Sequence, residues 1–183
     1  MSHRLESLSK FLSLVLRHRP EEIGLTLDEH GWTEIDSLVA LANSRGTPLT
    51  RDLVLEIAAT SDKKRFTISP DENRIRANQG HSIAVNLNLS SQEPPHELFH
   101  GTATRFARSI RENGLLPGSR QHVHLSLNAI TASEVGARHG KPLVLAVRAL
   151  DMHRDGFEFL LSDNAVWLTS AVPPRYLEFP DQT

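Results

Sequence analysis

Arg74 and Arg76 stand two apart in the segment RIRANQGHS. On an extended strand, where side chains alternate, both guanidinium groups then fall on one face and Ile75 on the other. Each group is a rigid fork of N–H donors that matches the oxygens of a phosphate or carboxylate. Two such forks on one face repel each other unless an anion lies between them, and a phosphate satisfies both. A charged hairpin edge that discourages aggregation would account for the arginines, but not for Asn78, Gln79 and His81 gathered around Gly80. A second basic pair, Arg17–His18, stands at the end of a helical run. There the helix dipole favours positive charge and helps keep an imidazole protonated, although basic residues in a last turn also serve simply as C-caps.

Further along, FHGT places Gly101 beside His100 just past an expected strand, leaving backbone N–H and C=O groups open to a planar ligand; an ordinary hydrogen-bonded histidine reads the same way. HVHLS puts His122 and His124 on one strand face. Alternate histidines suit a metal, but no third ligand stands at a familiar spacing, so no metal site is expected. Arg138, in GARHGKP, sits near a helix C-terminus, where it complements the dipole.

The elements that must position these groups follow from periodicity. Leu5, Leu8, Phe11, Leu12, Val15 and Leu16 recur three and four apart on one helical face, and Pro20 cannot continue that helix. GLTLDEHGWTEI reads as two short extended pieces around His30–Gly31. Helices are expected over Ile35–Ser44 and Thr50–Thr60, the second opening on a threonine cap. RFTISPDENRIRANQ reads as a β-hairpin around a Pro-Asp-Glu-Asn turn. Residues 85–95, VNLNLSSQEPP, show no period and end in prolines, which marks a linker between residues 1–84 and 96–183. Past it, HELFHGT reads as a strand into a loop, Thr104 as the cap of a helix ending at Asn113, HVHLSL as a strand, and Asn128 as the cap of another helix. PLVLAVRAL, FEFLLS and AVWLTS read as three more strands. The expectation is an α+β chain of two lobes, the first winged-helix-like and the second mainly β with two helices inserted.

The chain has 183 residues, 39% hydrophobic and 23% charged, with a formal net charge of −2. Residues 1–81 carry 11 Lys and Arg against 12 Asp and Glu, leaving 9 against 10 for the rest, so neither half is a basic platform of the kind that coats nucleic acid. No apolar run approaches the length of a membrane span. The absence of cysteine and the polar start of the sequence point to a cytoplasmic protein with no membrane contact.

LSKFLSLVLRHRP, GW, RIRANQGHS, LFHGT, HVHLS, VGARHGKP and SDNAVWLTSAVPPRYL, in that order, resemble the blocks of the RNA 2′-phosphotransferases, also called tRNA 2′-phosphotransferases; coverage runs from about Leu5 to Leu177. The resemblance implies an N-terminal winged-helix RNA-binding lobe and a C-terminal ADP-ribosyltransferase-like lobe that takes NAD as co-substrate without a metal. It implies an RNA partner carrying an internal 2′-phosphate, and the expected state is a monomer. The family's catalytic set carries over onto Arg17, His18, Arg76 and Arg138, and the NAD-binding set onto His100, Gly101, Thr102, His124 and Ser126. Arg74, Arg65 and Lys64 are expected to touch RNA phosphates outside the reacting one, and Lys63 and Trp32 stand beside them. Where many protein-modifying ADP-ribosyltransferases carry a glutamate, this chain has Val166; Glu158 and Glu178 lie on neighbouring runs. A dianionic phosphate is already a nucleophile that a carboxylate would repel.

Two other readings compete. A non-enzymatic winged-helix nucleic-acid binder is disfavoured by TRDLVLEIAAT, which offers only Arg51 for a groove. An ADP-ribosyltransferase acting on protein, or on terminal RNA or DNA phosphates, would keep the NAD site and make no cyclic product.

Overall fold

The computed structural model describes residues 3–61 and 63–180. The chain divides into two compact units, Met1–Asn88 and Leu89–Thr183, and the boundary falls inside the stretch 85–95 that the sequence marks as a linker. Mixed helix and sheet in both units make the chain α+β. No helix among the described residues is long and apolar enough to cross a membrane.

In the first unit, α1 (His3–Arg17) buries Leu8, Leu12, Val15 and Leu16, the stripe read from spacing, and a short 3₁₀ turn at Pro20–Glu22 follows. Strand β1 (Thr33–Glu34), α2 (Ile35–Ser44) and α3 (Arg51–Thr60) come next. The Thr50 side chain accepts a hydrogen bond from the backbone N–H of Leu53, the expected N-cap. The hairpin β2 (Phe66–Ile68) and β3 (Arg74–Ala77) completes a three-stranded antiparallel sheet in the order β1-β3-β2. Its inward residues, Phe66, Ile75 and Ala77, pack with the buried stripes of all three helices. One expectation fails: of the two extended pieces in GLTLDEHGWTEI, only Thr33–Glu34 is a strand. Gly24–Asp28 takes no regular form, since its ends are held instead by the turn contacts Gly24–Glu21 and Asp28–Trp32.

The second unit holds two three-stranded sheets, β4-β6-β9 and β5-β8-β7. Strand β4 (Leu98–Ala103) leads through a 3₁₀ turn, Thr104–Phe106, into α4 (Ala107–Asn113). Then come β5 (Val123–Leu125), α5 (Ala129–Ala137), β6 (Pro142–Val147), α6 (Ala149–Arg154), β7 (Leu160–Leu161), β8 (Trp167–Thr169) and β9 (Leu177–Glu178). Leu98, Leu145 and Val147 of one sheet share a core with Val123, Leu125 and Trp167 of the other. A bridge in which Phe99 and Ser126 exchange both backbone hydrogen bonds joins β4 to the start of the β5–α5 connection.

Three details differ from the sequence reading. Thr104 makes no side-chain cap, and its stretch begins as a 3₁₀ turn rather than an α-helix. PLVLAVRAL is a strand that passes at Arg148 into α6, a third helix whose apolar Ala149, Leu150 and Met152 are buried. His100 and Gly101 lie inside β4, not past its end. Gly101 is fixed by packing: a Cβ there would stand 1.6 Å from the carbonyl oxygen of Ala132 in α5, and one on Gly136 would stand 2.5 Å from the carbonyl oxygen of Thr102. Helix α5 therefore lies against β4 at a separation that only paired glycines allow.

Candidate active site

In the first unit, α1 ends at Arg17 and the chain turns through His18 to Pro20, which lifts both basic side chains off the helix terminus. An Arg17 Nη2 donates to the backbone oxygen of Arg65 at 3.2 Å, and its guanidinium carbon stands 5.9 Å from the Phe66 ring centre, so the helix end is tied to β2. Across the hairpin, Thr67 pairs with Arg76. The Arg76 guanidinium donates to the Leu87 carbonyl at 3.4 Å and sits 4.8 Å over the Trp32 ring; that of Arg74 sits 5.5 Å over the same ring. The two arginines do share a face, as alternation predicts, and Trp32 is the surface they share. Arg74 also stands 3.9 Å from Asp28, beside an open groove of 480 Å³ lined by Leu25, Leu27, Trp32 and Glu34.

Gly80, at φ +89°, turns the chain so that His81 points inward and Ser82 back toward α1. The Ser82 N–H donates to the Arg17 carbonyl at 2.9 Å, and its Oγ shares a 2.9 Å hydrogen bond with His18 Nδ1. His81 is buried at 2% exposure, and neither ring nitrogen has a hydrogen-bond partner. Burial, and then the charges of Arg17, His18 and Arg76, push its pKa down to about 4. The neutral imidazole is thus a floor beneath three cationic side chains. His81 and Ser82 belong to the segment singled out by sequence, yet no role followed from their types; the turn at Gly80 decides where they point. Arg65 donates to Ser61 Oγ at 3.1 Å, while Lys64 is exposed.

In the second unit, β4 pairs with β6 so that His100 opposes Leu145 and Gly101 opposes Val144. Phe99 gives both of its backbone bonds to Ser126, so by the alternation of an antiparallel ladder the N–H and C=O of Gly101 also point away from β6. That open edge suits the carboxamide of a nicotinamide, which needs one donor and one acceptor. His100 Nδ1 meets the His124 carbonyl at 3.1 Å. Burial, followed by the charges of His139 and Arg120, lowers the His100 pKa. Arg120 Nη1 lies 3.4 Å from His124 Nδ1, a neighbour the sequence reading did not single out although it stands just before HVHLS. Thr102 is buried on the same strand face as His100, and Ser126 is half-buried. Arg138 is exposed at the C-cap of α5. Val166 is fixed by two backbone contacts to Ser162; Glu178 stands 3.8 Å from Arg148, and Glu158 is close enough to His122 to act on its charge. Among the described residues, no group of three His, Cys, Asp or Glu could hold a metal ion.

Each unit therefore carries its own cluster of arginine and histidine around a histidine held neutral by burial and by neighbouring cations, which defines an α+β protein equipped to hold anions. The model of the family described as RNA 2′-phosphotransferase, Tpt1 / KptA family, matches residues 3–171. A probable RNA 2′-phosphotransferase of Rhodopirellula baltica is 58% identical over 178 residues, covering 97% of each chain. Another, of Hahella chejuensis, is 54% identical over 181 residues, covering 99% of this chain and 97% of its own. A third, of Flavobacterium johnsoniae, is 52% identical over 174 residues. The chain belongs to the RNA 2′-phosphotransferase family.

Proposed function

We propose that this chain is an NAD-dependent RNA 2′-phosphotransferase that removes an internal RNA 2′-phosphate in two displacements. In the first, an oxygen of the 2′-phosphate attacks C1″ of the NAD ribose. The glycosidic bond breaks, nicotinamide departs with the bonding pair as a neutral base, and an RNA-2′-phospho-ADP-ribose ester forms. In the second, the 2″-hydroxyl of that ribose attacks phosphorus. The P–O2′ bond to RNA breaks, the departing RNA oxygen takes a proton in place of the one the hydroxyl loses, and ADP-ribose 1″,2″-cyclic phosphate leaves.

The observation that carries this reading is the gathering of Arg17, His18 and Arg76 around buried, neutral His81, in a chain that belongs to this family. Guanidinium forks neutralise the phosphate and orient its oxygen, and the same donors stabilise the charge that accumulates at phosphorus. His18 is suited to deliver the proton to the departing 2′-oxygen, a contribution usually of about 10²- to 10⁴-fold. In this reading Arg138 completes the charge set. His100 and Ser126 hold the NAD ribose, the open edge at Gly101 holds the nicotinamide amide, and Thr102 and His124 frame the same cleft. The winged-helix-like first unit binds RNA through Arg74, Arg65 and Lys64 by backbone and 2′-substituent rather than by sequence.

The test is incubation with NAD and a short RNA bearing one internal 2′-phosphate, with chromatography of the products. Dephosphorylated RNA, free nicotinamide and the cyclic phosphate in equal amounts are expected. ADP-ribosylated terminal phosphate or protein without the cyclic product would replace the proposal with a single-step transferase. No dependence on NAD would remove the second unit's role. His100→Ala is expected to weaken NAD binding more than RNA binding; the reverse would misplace the NAD cleft.

A further inference from the structure

We infer that Ser82 is a positioning residue that sets the tautomer of His18, so that this ring presents N–H at Nε2 to the substrate phosphate even when it is uncharged. The inference rests on the phosphate-handling role proposed above for the Arg17–His18–Arg76 cluster. Its basis is the pair of bonds by which one residue grips two consecutive ones: the Ser82 N–H on the Arg17 carbonyl at 2.9 Å, and the Ser82 hydroxyl on His18 Nδ1 at 2.9 Å. The first satisfies a carbonyl that the end of α1 leaves without a helical partner. It also fixes where the Ser82 backbone stands, and so directs the second bond.

In a neutral imidazole one nitrogen donates and the other accepts, and the partner of one decides the state of the other. With Nδ1 engaged by Ser82, a hydrogen bond from this ring to a phosphate must come from Nε2. When the serine hydroxyl donates to Nδ1, the neutral ring carries its proton on Nε2 and donates to a phosphate oxygen. When the ring is protonated, Nδ1–H donates to the serine oxygen and Nε2–H still faces the phosphate. Either way the ring donates. Without the hydroxyl, the neutral ring is free to place its proton on Nδ1, and a bare Nε2 lone pair would then confront an anion. The charged and titratable groups around it are Arg17 on α1, Arg76 on β3 and His81 on the turn after β3. The arginines do not titrate in the working range, and His81, with its pKa near 4, stays neutral there.

Loss of the hydroxyl should therefore matter at high pH and little at low pH, where protonated His18 donates regardless. For Ser82→Ala, kcat/KM for the 2′-phosphorylated RNA is expected to fall about tenfold to a hundredfold at pH 8, the usual effect of removing a group that orients a histidine. At pH 6 the loss should be under about threefold. Ser82→Thr, which keeps the hydroxyl, should restore most of the pH 8 activity. A uniform loss across pH, or no loss, would overturn the inference, as would a failure of threonine to rescue.

A second measurement does not depend on catalysis. Long-range ¹H–¹⁵N spectra of the imidazoles at pH 8, with the His18 signals assigned from a His18→Gln variant, should show Nε2–H in the native protein and a shift toward Nδ1–H in Ser82→Ala. Unchanged tautomer populations would refute the positioning role whatever the activity. The expected shift in a protein that leaves 2′-phosphorylated RNA untouched would leave the positioning role standing and reject the function.

Discussion

The Arg76 guanidinium carbon lies 4.8 Å from the centre of the Trp32 ring, and the two residues face each other across the β1–β3 ladder, one step beyond the Thr33–Ile75 pair. The flat indole thus acts as a ledge that holds a rigid donor fork in one plane, with the Arg74 group 5.5 Å from the same ring. A cation over an aromatic face is worth about 0.5 to 2 kcal/mol depending on exposure. Trp32→Leu is accordingly expected to lower phosphate-transfer activity by about threefold to thirtyfold, with Trp32→Phe losing less because a smaller ring still offers a face. Steady-state kinetics on the 2′-phosphorylated RNA checks this; equal losses in both variants would reduce Trp32 to a packing residue.

Arg76→Lys tests whether charge or fork geometry matters. A lysine keeps the positive charge but offers a compact ammonium on a flexible stem, with no planar pair of donors. Turnover is expected to fall at least about a hundredfold, close to the loss in Arg76→Ala. Arg138→Ala should be as severe while the circular dichroism spectrum stays native. A lysine variant retaining near-normal turnover would show that point charge alone suffices at position 76.

Gly101→Ala should destabilise the second unit by more than about 4 kcal/mol. Its Cβ would stand 1.6 Å from the Ala132 carbonyl oxygen, and since that atom is backbone in α5, no side-chain rotation relieves the clash. Thermal melting followed through buried Trp167 should show the loss, together with a fall in soluble yield. A native melting temperature would mean that α5 can move off β4 at little cost.

Features with strong local causes were legible in the sequence. The stripe from Leu5 to Leu16 predicts α1, and Thr50 and Asn128 cap α3 and α5 through the side-chain contacts their types suggest. The pairing of Arg74 and Arg76 on one face follows from strand alternation alone. What escaped depends on distant neighbours. Helix α6 hides in PLVLAVRAL because Ala149, Leu150 and Met152 continue the apolar run of β6 without a break. Gly101 suggests ligand access by sequence; the structure adds that its missing side chain makes room for α5. His81 gains its character only when folding brings Arg17, His18 and Arg76 around it.

That last environment predicts how stability responds to acid. In the unfolded chain a histidine titrates near 6.5, whereas folded His81 titrates at about 4. Between these values the unfolded state binds the proton and the folded state refuses it, so protons favour unfolding. The contribution of neutral His81 is therefore fully present above about pH 6.5 and is lost as pH falls toward 4. Across that window the loss amounts to about 3 kcal/mol. The buried rings of His100 and His122 shift in the same direction and add to the slope. Urea unfolding of the first unit at pH 7.0, 5.5 and 4.5, read from Trp32 fluorescence in a Trp167→Phe background, should show a falling midpoint. His81→Leu should flatten this trend while changing stability at pH 7.0 by no more than about 1 kcal/mol, because an apolar side chain of similar size replaces two ring nitrogens that have no hydrogen-bond partner. If the leucine variant keeps the full acid slope, the proton uptake belongs to other groups, and His81 is not the neutral floor beneath the three cations.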